Sequence, residues 1–242
     1  MKLEIQNINF SYGDKQVLKN LNIDVKNGEF ISILGPSGCG KSTLLKILSG
    51  VLNADSGNIF VDSVKIDGVS EKFAYMPQDD LLFSWLTILE NVCLYGKIHH
   101  NFDEVKIEAL KNFETFGLKG YENKYPSALS GGMRQRAAFL RTALCHADIL
   151  LLDEPFGALD VITRGEMQDW LLKMRRQLDR TVVLVTHDMD EAIYLSDRII
   201  ILNAGKEDIA GEIVIEETKR DRNWLYEQSG LRQKIYSMIM QK

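Results

Sequence analysis

The sequence has few cysteines, no excess of positive charge and no long apolar segment, and each of these absences excludes a class of protein. Its three cysteines, Cys39, Cys93 and Cys145, are far apart and lack C-x-x-C spacing, which argues against a disulfide framework or a zinc site and favours a reducing compartment. The net charge of −5 argues against nucleic acid as a partner. No apolar run approaches the ~20 residues of a membrane-spanning helix, and residues 1–6 lack the apolar block of a signal peptide. We therefore expect a chain that is soluble by itself.

Short apolar segments predict an α/β fold. With 45% hydrophobic residues, the 242-residue chain can fill the core of one large domain or of two small ones. Strands alternate with helical segments, which is typical of a mainly parallel sheet with helices on both faces. Two segments of alternating polarity, 3–10 and 17–25, predict antiparallel strands at the edge of this core. The other predicted strands are 30–34, 57–61, 73–76, 149–153, 181–186 and 199–202.

Helical periodicity predicts an α-helical insert, roughly residues 87–146, within the α/β core. The predicted helices are 43–49, 88–95, 103–116, 131–146, 161–178 and 191–195. A C-terminal helical tail, about 212–242, follows the last strand, and its charged run 216–222 is typical of a solvated surface. The helix that ends the tail has an apolar stripe that indicates packing on the core, formed by Leu231, Ile235, Met238 and Ile239.

A phosphate-binding loop lies between the strand 30–34 and the helix that follows. Residues 35–42 fit the pattern G-x-x-x-x-G-K-[ST]. Glycines let successive backbone N–H groups point at one anion, and the helix N-terminus adds the positive end of its dipole. Lys41 would reach the β- and γ-phosphates, and the Ser42 hydroxyl would bind Mg²⁺. The alternative is a glycine-rich turn with a surface lysine. It does not account for the strand directly before the loop and the helix directly after it. Cys39 is expected to be a small filler whose pKa the neighbouring N–H groups would lower.

Two adjacent carboxylates end the apolar strand 149–153, where α/β sheets bind ligands. Asp153 could hold Mg²⁺ through water, and Glu154 could polarise the water that attacks the γ-phosphate. By itself the pair could equally cap the strand end. Ser130, followed by Gly131 and Gly132, could cap a helix and expose N–H groups to an anion, although on its own this is only a good N-cap.

These motifs resemble, in the family order, those of the ATP-binding subunit of ABC transporters, over nearly the whole chain. The motifs are 35–42 (Walker A), Gln78 (the Q-loop), 129–133 (the signature), 149–154 (Walker B), 157–160 (the D-loop) and 186–188 (the switch histidine). The resemblance implies one ABC-type ATP-binding domain, residues 1–242, with a P-loop core, an antiparallel β edge and the helical insert. It also implies a second copy of the chain, paired head-to-tail, because Ser130, Gly131 and Gly132 would bind the γ-phosphate held by the other subunit.

The same resemblance assigns roles to further residues. Tyr12 would stack on the adenine, Gln78 would contact Mg²⁺ and the attacking water, and His187 would contact the γ-phosphate. The catalytic residues would be Glu154, His187, Gln78 and Lys41, and Mg²⁺ would be held by Ser42, Gln78 and Asp153. The ATP-binding set is Tyr12, Gly35, Pro36, Ser37, Gly38, Cys39, Gly40, Lys41, Ser42, Thr43, Ser130, Gly131 and Gly132.

The segment 81–92 resembles that of the nitrate/sulfonate/taurine-type import ATPases, with Ser84 where those usually have proline. Phe83 and Trp85 would then form a groove for a cytoplasmic helix of a membrane permease; alternatively they are core residues. The expected function is ATP hydrolysis that energises an importer of a small solute. The chain would be peripheral, on the cytoplasmic side of the cell membrane, with an extracytoplasmic solute-binding protein as a further partner. Two alternatives are an ABC-type ATPase without a membrane partner and a small-molecule kinase, which would need a substrate lid in place of 129–133.

Overall fold

The computed structural model describes residues 1–178, 180–203 and 209–240, and the side chains of all of these except 174–178. The strands of this part are β1 (Leu3–Tyr12), β2 (Lys15–Val25), β3 (Phe30–Leu34), β4 (Ser56–Val61), β5 (Val64–Lys65), β6 (Phe73–Met76), β7 (Ile149–Asp153), β8 (Thr181–Val185), β9 (Arg198–Leu202) and β10 (Ile209–Val214). The helices are α1 (Lys41–Leu48), α2 (Ile88–Val92), α3 (Leu94–Ile98), α4 (Phe102–Phe113), α5 (Gly131–Ala143), α6 (Val161–Leu178), α7 (Met189–Leu195), α8 (Arg222–Tyr226) and α9 (Ser229–Met240). A single 3₁₀ turn covers Pro126–Ala128.

The strands form two sheets, and the predicted α/β class is confirmed. A six-stranded sheet has the order β10-β9-β3-β8-β7-β6, in which only the edge strand β10 is antiparallel to its neighbour. Strands β3, β7 and β8 are buried at every position, as expected of central parallel strands covered on both faces. The predicted N-terminal hairpin is confirmed, but it lies in a separate four-stranded antiparallel sheet, β2-β1-β4-β5.

Two apolar clusters cover the two faces of the parallel sheet. Alternate residues of β7 show the division, because Ile149 and Leu151 pack with α1 and the antiparallel sheet, whereas Leu150 and Leu152 pack under the helices of the insert. The carboxyl ends of the central strands therefore open at one edge, between these two layers. No described helix is long and apolar enough to cross a lipid bilayer.

The insert contains α2 to α5, with bounds that differ from the prediction at several points. The predicted helix 88–95 is wrong as a single element, because the backbone at Cys93 (φ −88°, ψ 15°) leaves helical geometry and separates α2 from α3. Thr87 begins α2 with a capping box, in which its side chain and that of Glu90 each accept from the other's backbone N–H. Helices α4 and α5 each end three residues before the predicted bounds, at Phe113 and Ala143. The insert as a domain, 87–146, stays a prediction.

The C-terminal tail contains a strand that the sequence did not predict. Strand β10 pairs with β9 at the sheet edge, and its half-exposed pattern is too weak a signal for prediction. The predicted stripe on α9 is confirmed, since Ile235 is fully buried and its apolar neighbours pack against the core. The prediction that the charged run 216–222 lies in solvent is wrong at Arg220, whose side chain is 6% exposed. Residues 241–242 of the predicted tail lie outside the described part.

Candidate nucleotide-binding site

The loop 35–40 joins β3 to α1, and its shape depends on glycine. Gly40 has a φ of +99°, and a Cβ there would lie 2.6 Å from Leu18 Cδ2, so a larger residue would be strained and crowded. Helix α1 begins at the next residue, Lys41. The N-terminal backbone N–H groups of a helix and the positive end of its dipole favour an anion, so this geometry suits a phosphate.

The loop, the Q-loop and the strand ends line one cleft of about 650 Å³. The described residues that line it are Tyr12, Lys15, Val17, Ser37, Gly38, Gly40, Lys41, Ser42, Thr43, Gln78, Glu154 and His187. The predicted residues Gly35, Pro36 and Cys39 belong to the loop but do not line the cleft. Sequence reasoning missed Lys15 and Val17, although Lys15 pairs with Tyr12 across the β1–β2 turn and could have been found from that hairpin.

Lys41 is held against its own loop. Its side chain is largely buried, and its Nζ donates to the carbonyl oxygens of Gly35 (2.8 Å) and Pro36 (3.0 Å). The Cys39 Sγ lies 3.8 Å from the same ammonium group. Burial nevertheless raises the pKa of Cys39, and the neighbouring Lys41 only partly offsets this effect. The expected lowering of the Cys39 pKa is therefore wrong, because desolvation of the thiolate outweighs the nearby positive charge.

Ser42 lines the cleft and is hydrogen-bonded to Asp153, which lines the adjoining cavity instead. The Ser42 hydroxyl donates to Asp153 Oδ1 at 2.9 Å, and the Tyr75 hydroxyl lies 3.5 Å from Oδ2. Asp153 ends β7 and is 2% exposed. This burial raises the pKa of Asp153, and the hydrogen bond from Ser42, which lowers it, offsets only part of the rise. A hydroxyl and a carboxylate beside a phosphate loop form the kind of oxygen set that Mg²⁺ takes together with substrate phosphates, so the residues present fit this ion. Tyr75 was not predicted.

Glu154 lies at the centre of the cleft, between two other predicted residues. Its Oε1 is 3.2 Å from His187 Nδ1, and its Oε2 accepts from Gln78 Nε2 at 3.4 Å. The backbone of Glu154 is left-handed (φ +49°), a conformation that costs about 1–3 kcal/mol for a residue with a Cβ. This turn directs the chain out of β7, and the Glu154 N–H donates to Val185 O at 2.9 Å.

Ser130 is away from the cleft of its own chain. It caps α5, where its Oγ accepts from Met133 N at 3.3 Å. Ser130 and Gly131 are exposed, and neither they nor Gly132 are among the residues lining the cleft. The structure therefore does not bring the signature residues together with the cleft residues of the same chain. Their role stays a prediction.

A second cavity of about 680 Å³ adjoins the nucleotide cleft, between the parallel sheet and the insert. Phe83, Leu81, Tyr95 and Ile98 line it together with Ser42, Gln78 and Asp153. Trp85 is 70% exposed and its ring lies 4.9 Å from that of Phe83, so the alternative that Trp85 is a core residue is wrong.

Asn91, which sequence reasoning missed, fixes the loop that presents this aromatic pair. It is fully buried, its Oδ1 accepts from Phe83 N at 2.7 Å, and the two N–H groups of its Nδ2 are shared among the carbonyl oxygens of Phe83 (3.0 Å), Leu86 (3.1 Å) and Thr87 (3.0 Å). A buried amide that satisfies four backbone contacts at once sets the loop conformation. The exposed aromatic rings of Phe83 and Trp85 therefore stand on a loop whose conformation is fixed by Asn91.

Glu191, also missed, supports the loop that carries His187. Its Oε2 accepts from Thr186 Oγ1 at 2.6 Å, and the same hydroxyl oxygen accepts from the Asp188 N–H at 3.0 Å. The Glu191 side chain is 5% exposed, and burial raises its pKa to about 7. A protonated, neutral Glu191 is thus favoured by the folded state.

Replacement of Glu191 by glutamine should flatten the pH dependence of stability. Because the pKa of this acid rises from 4.5 to about 7 on folding, the folded state holds the proton more tightly between these values. The free energy of unfolding should therefore fall as pH rises through this range, by about 3 kcal/mol in total, and Glu191→Gln should lack this fall. Urea unfolding at pH 5 and pH 8 measures the difference. Glu216→Gln, at an exposed position, should behave like wild type, whereas a wild-type pH dependence in Glu191→Gln would contradict the assignment.

Comparison with known proteins gives consistent matches. A family model described as ABC transporter matches residues 18–157. The chain is 45% identical over 192 residues to the aliphatic sulfonates import ATP-binding protein SsuB of Bacillus cereus, covering 79% of this chain and 76% of the relative. It is 46% identical over 201 residues to the formylaminopyrimidine import ATP-binding protein ThiZ of Halalkalibacterium halodurans, covering 82% and 78%. Among solved structures, the dimeric bacterial ABC transporter cassette MJ0796 superimposes with a TM-score of 0.79 and 32% identity, covering 89% of this chain and 99% of the cassette. A second structure of that cassette is a dimeric post-hydrolysis state bound to ADP and Pi.

Proposed function

The chain belongs to the ABC transporter family, and we propose that it hydrolyses ATP to drive a membrane importer of a small solute of the nitrate, sulfonate or taurine type. The observation that carries the proposal is the single cleft in which Lys41, Ser42, Gln78, Glu154 and His187 meet. We propose no single solute, because two relatives of nearly equal identity are named for different ones, aliphatic sulfonates and formylaminopyrimidine.

The predicted residues of the cleft divide the work of hydrolysis among them. Tyr12 stacks on the adenine, while the loop N–H groups and Lys41 hold the phosphates. The water oxygen attacks the γ-phosphorus as the bond to the ADP oxygen breaks, and Glu154 accepts the proton of that water. Gln78 and His187, which already contact Glu154, orient the water and the γ-phosphate. Mg²⁺ held by Ser42, Gln78 and, through water, Asp153 would neutralise phosphate charge.

A second copy of the chain completes the site. The similar cassettes are dimeric, and the exposed start of the signature helix does not line the cleft of its own chain. In a head-to-tail dimer, Ser130, Gly131 and Gly132 of each copy would face the γ-phosphate held by the other. ATP then closes the dimer, and hydrolysis reopens it.

The second cavity is where the permease would dock. It shares Ser42 and Gln78 with the nucleotide cleft, so a helix bound there can respond to the state of the nucleotide. Phe83 lines it, and the exposed Trp85 ring lies 4.9 Å from that of Phe83, so the two rings can act as the aromatic anchors typical of protein interfaces. We therefore propose that the chain is a peripheral subunit at the cytoplasmic face of the membrane, with an extracytoplasmic solute-binding protein on the other side of the permease.

Alanine at both Phe83 and Trp85 should uncouple transport and leave the nucleotide site intact. Losing two aromatic anchors should weaken permease binding by more than about 30-fold, since such residues contribute about 2 kcal/mol or more. ATP affinity of the isolated subunit should stay within about twofold, because neither residue lines the nucleotide cleft. Co-purification with a candidate permease and ATP-driven uptake in vesicles measure the first effect, and calorimetry with ATP measures the second.

The matched control is Tyr236→Ala, which removes another exposed aromatic ring, on α9. It should leave permease binding unchanged. A double variant that melts far below wild type would show a core role for Phe83. A wild-type chain that binds no permease would favour the alternative, an ABC-type ATPase without a membrane partner.

A further inference from the structure

The switch residue His187 depends on a short helix for its position. Helix α7 begins at Met189, two residues after His187, and Asp188 caps it by accepting from the N–H groups of Asp190 (2.8 Å) and Glu191 (3.2 Å). A displacement of α7 would therefore move His187 relative to Glu154. What fixes α7 also fixes the 3.2 Å contact between His187 and Glu154.

The C-terminal arm, defined here as residues 216–240, holds α7 at both ends. Near the start of α7, Arg232 Nε donates to Asp190 Oδ1 at 2.6 Å. Near the end of α7, Arg220 Nη1 donates to the carbonyl oxygens of Ser196 (2.6 Å) and Tyr194 (3.3 Å). Arg220 is a cation at the negative end of the α7 dipole, and Arg232 pairs with the carboxylate of Asp190 in the first turn. Both contacts are therefore electrostatically favourable.

Arg232 also connects the two helices of the arm. Its Nη2 donates to Leu225 O at 2.8 Å, near the end of α8, while the residue itself lies on α9. Leu225 and Ile235 are buried in the main core, which anchors the arm. A planar guanidinium that satisfies a carboxylate and a carbonyl at once fixes the relative position of three helices, α7, α8 and α9.

We propose that Arg232 is a positioning residue for ATP hydrolysis: through Asp190 it holds α7 in the orientation that places His187 beside Glu154. The proposal rests on the hydrolytic function proposed above. It extends the working site to a C-terminal arm that does not touch the nucleotide cleft. Arg232 does not line the nucleotide cleft, so its effect on hydrolysis would pass through α7 and His187.

Arg232→Ala should lower kcat for ATP hydrolysis on the order of 10-fold and change KM for ATP by less than about twofold, because misplacing a catalytic group affects the reaction more than the binding. Arg232→Lys, which keeps the charge opposite Asp190, should recover part of kcat. Lys234→Ala removes an exposed cation from the same helix and should leave kcat unchanged. Steady-state ATPase kinetics of the full-length chain, with a thermal melt of each variant, provide the measurements.

The decisive comparison repeats Arg232→Ala in a His187→Ala background. If Arg232 acts through His187, the second substitution should cost little more, whereas independent effects would multiply. A full 10-fold further loss, or an unchanged kcat in Arg232→Ala, would overturn the proposal. Asp190→Asn gives a second route if Arg232→Ala melts early, and it should reproduce the kcat loss. Absence of ATPase activity in wild type would instead defeat the hydrolytic function itself, which keeps the two failures distinct.

Discussion

The Glu154→Gln variant should bind ATP, hydrolyse it about 10²–10⁴-fold more slowly than wild type, and accumulate as an ATP-dependent dimer. Glutamine keeps the shape of the side chain and its contacts with Gln78 and His187, but it cannot accept the proton of the attacking water. Lys41, Ser42 and Asp153 are unchanged, so ATP with Mg²⁺ should still bind. The closed dimer should then persist because the step that opens it is slow.

Size-exclusion chromatography with light scattering, in ATP and in ADP, measures this dimer, which should be absent in ADP. Adding Ser130→Arg to the same chain should abolish the dimer and leave ATP binding in place, since Ser130 is exposed and does not line the cleft of its own chain. Glu71→Gln, at an exposed acid, is the matched control and should turn over like wild type. Wild-type ATPase activity in Glu154→Gln would remove this residue from the mechanism, and a monomer at saturating ATP would count against the head-to-tail pairing.

The phosphate loop could be predicted because its information is local. Strand, glycine turn, lysine and helix start follow one another within 30–49, so pattern and structure coincide without any long-range contact. The same holds for Asp153 at the end of β7. Parallel strands place their carboxyl ends at one edge, which is why Glu154 meets residues from β6 and β8 that are far away in sequence.

The supporting contacts could not be predicted, because they join polar residues that are distant in sequence and look like surface residues on their own. Arg232 and Asp190 are 42 positions apart, and Arg220 lies in a charged run whose pattern indicates solvent. Asn91 and Glu191 sit in helices where amphipathic periodicity gives no sign of a buried polar group. Only the tertiary structure shows that Asn91 fixes a loop and that Glu191 supports the switch segment.

Strand β10 and the split between α2 and α3 were missed for a different reason. An edge strand needs only one paired neighbour, so Ile213 is the one buried residue of β10 and the apolar alternation of the strand is weak. The break at Cys93 changes only one pair of backbone angles, and the apolar periodicity on either side continues through it. Both sequence signals, the weak alternation of an edge strand and the one-residue break between two helices, are smaller than the ordinary variation in apolar pattern between segments.

The largest loss should follow Lys41→Ala, which should weaken ATP binding by about 10–100-fold and reduce hydrolysis by at least about 10²-fold. A charge-assisted hydrogen bond to phosphate contributes about 1.5–3 kcal/mol to binding, and the loss of a preorganised donor from the transition state costs a further 10²–10³-fold in rate. Lys41 is 8% exposed and donates to the carbonyls of Gly35 and Pro36, so its removal also leaves these loop oxygens without that donor. ATPase rate and nucleotide affinity by calorimetry measure the two effects.

Lys46→Ala is the control for net charge, because Lys46 lies in the last turn of the same helix and does not line the nucleotide cleft. It should keep wild-type affinity, and a thermal melt should show that both variants fold. Lys41→Arg keeps the charge, but its planar guanidinium cannot occupy the position of a compact ammonium between two carbonyls, so it should recover binding more than rate. If Lys41→Ala stayed within twofold of wild type in both affinity and rate, the loop 35–42 would not be the phosphate site, and the roles of Ser42 and Glu154 would fall with it.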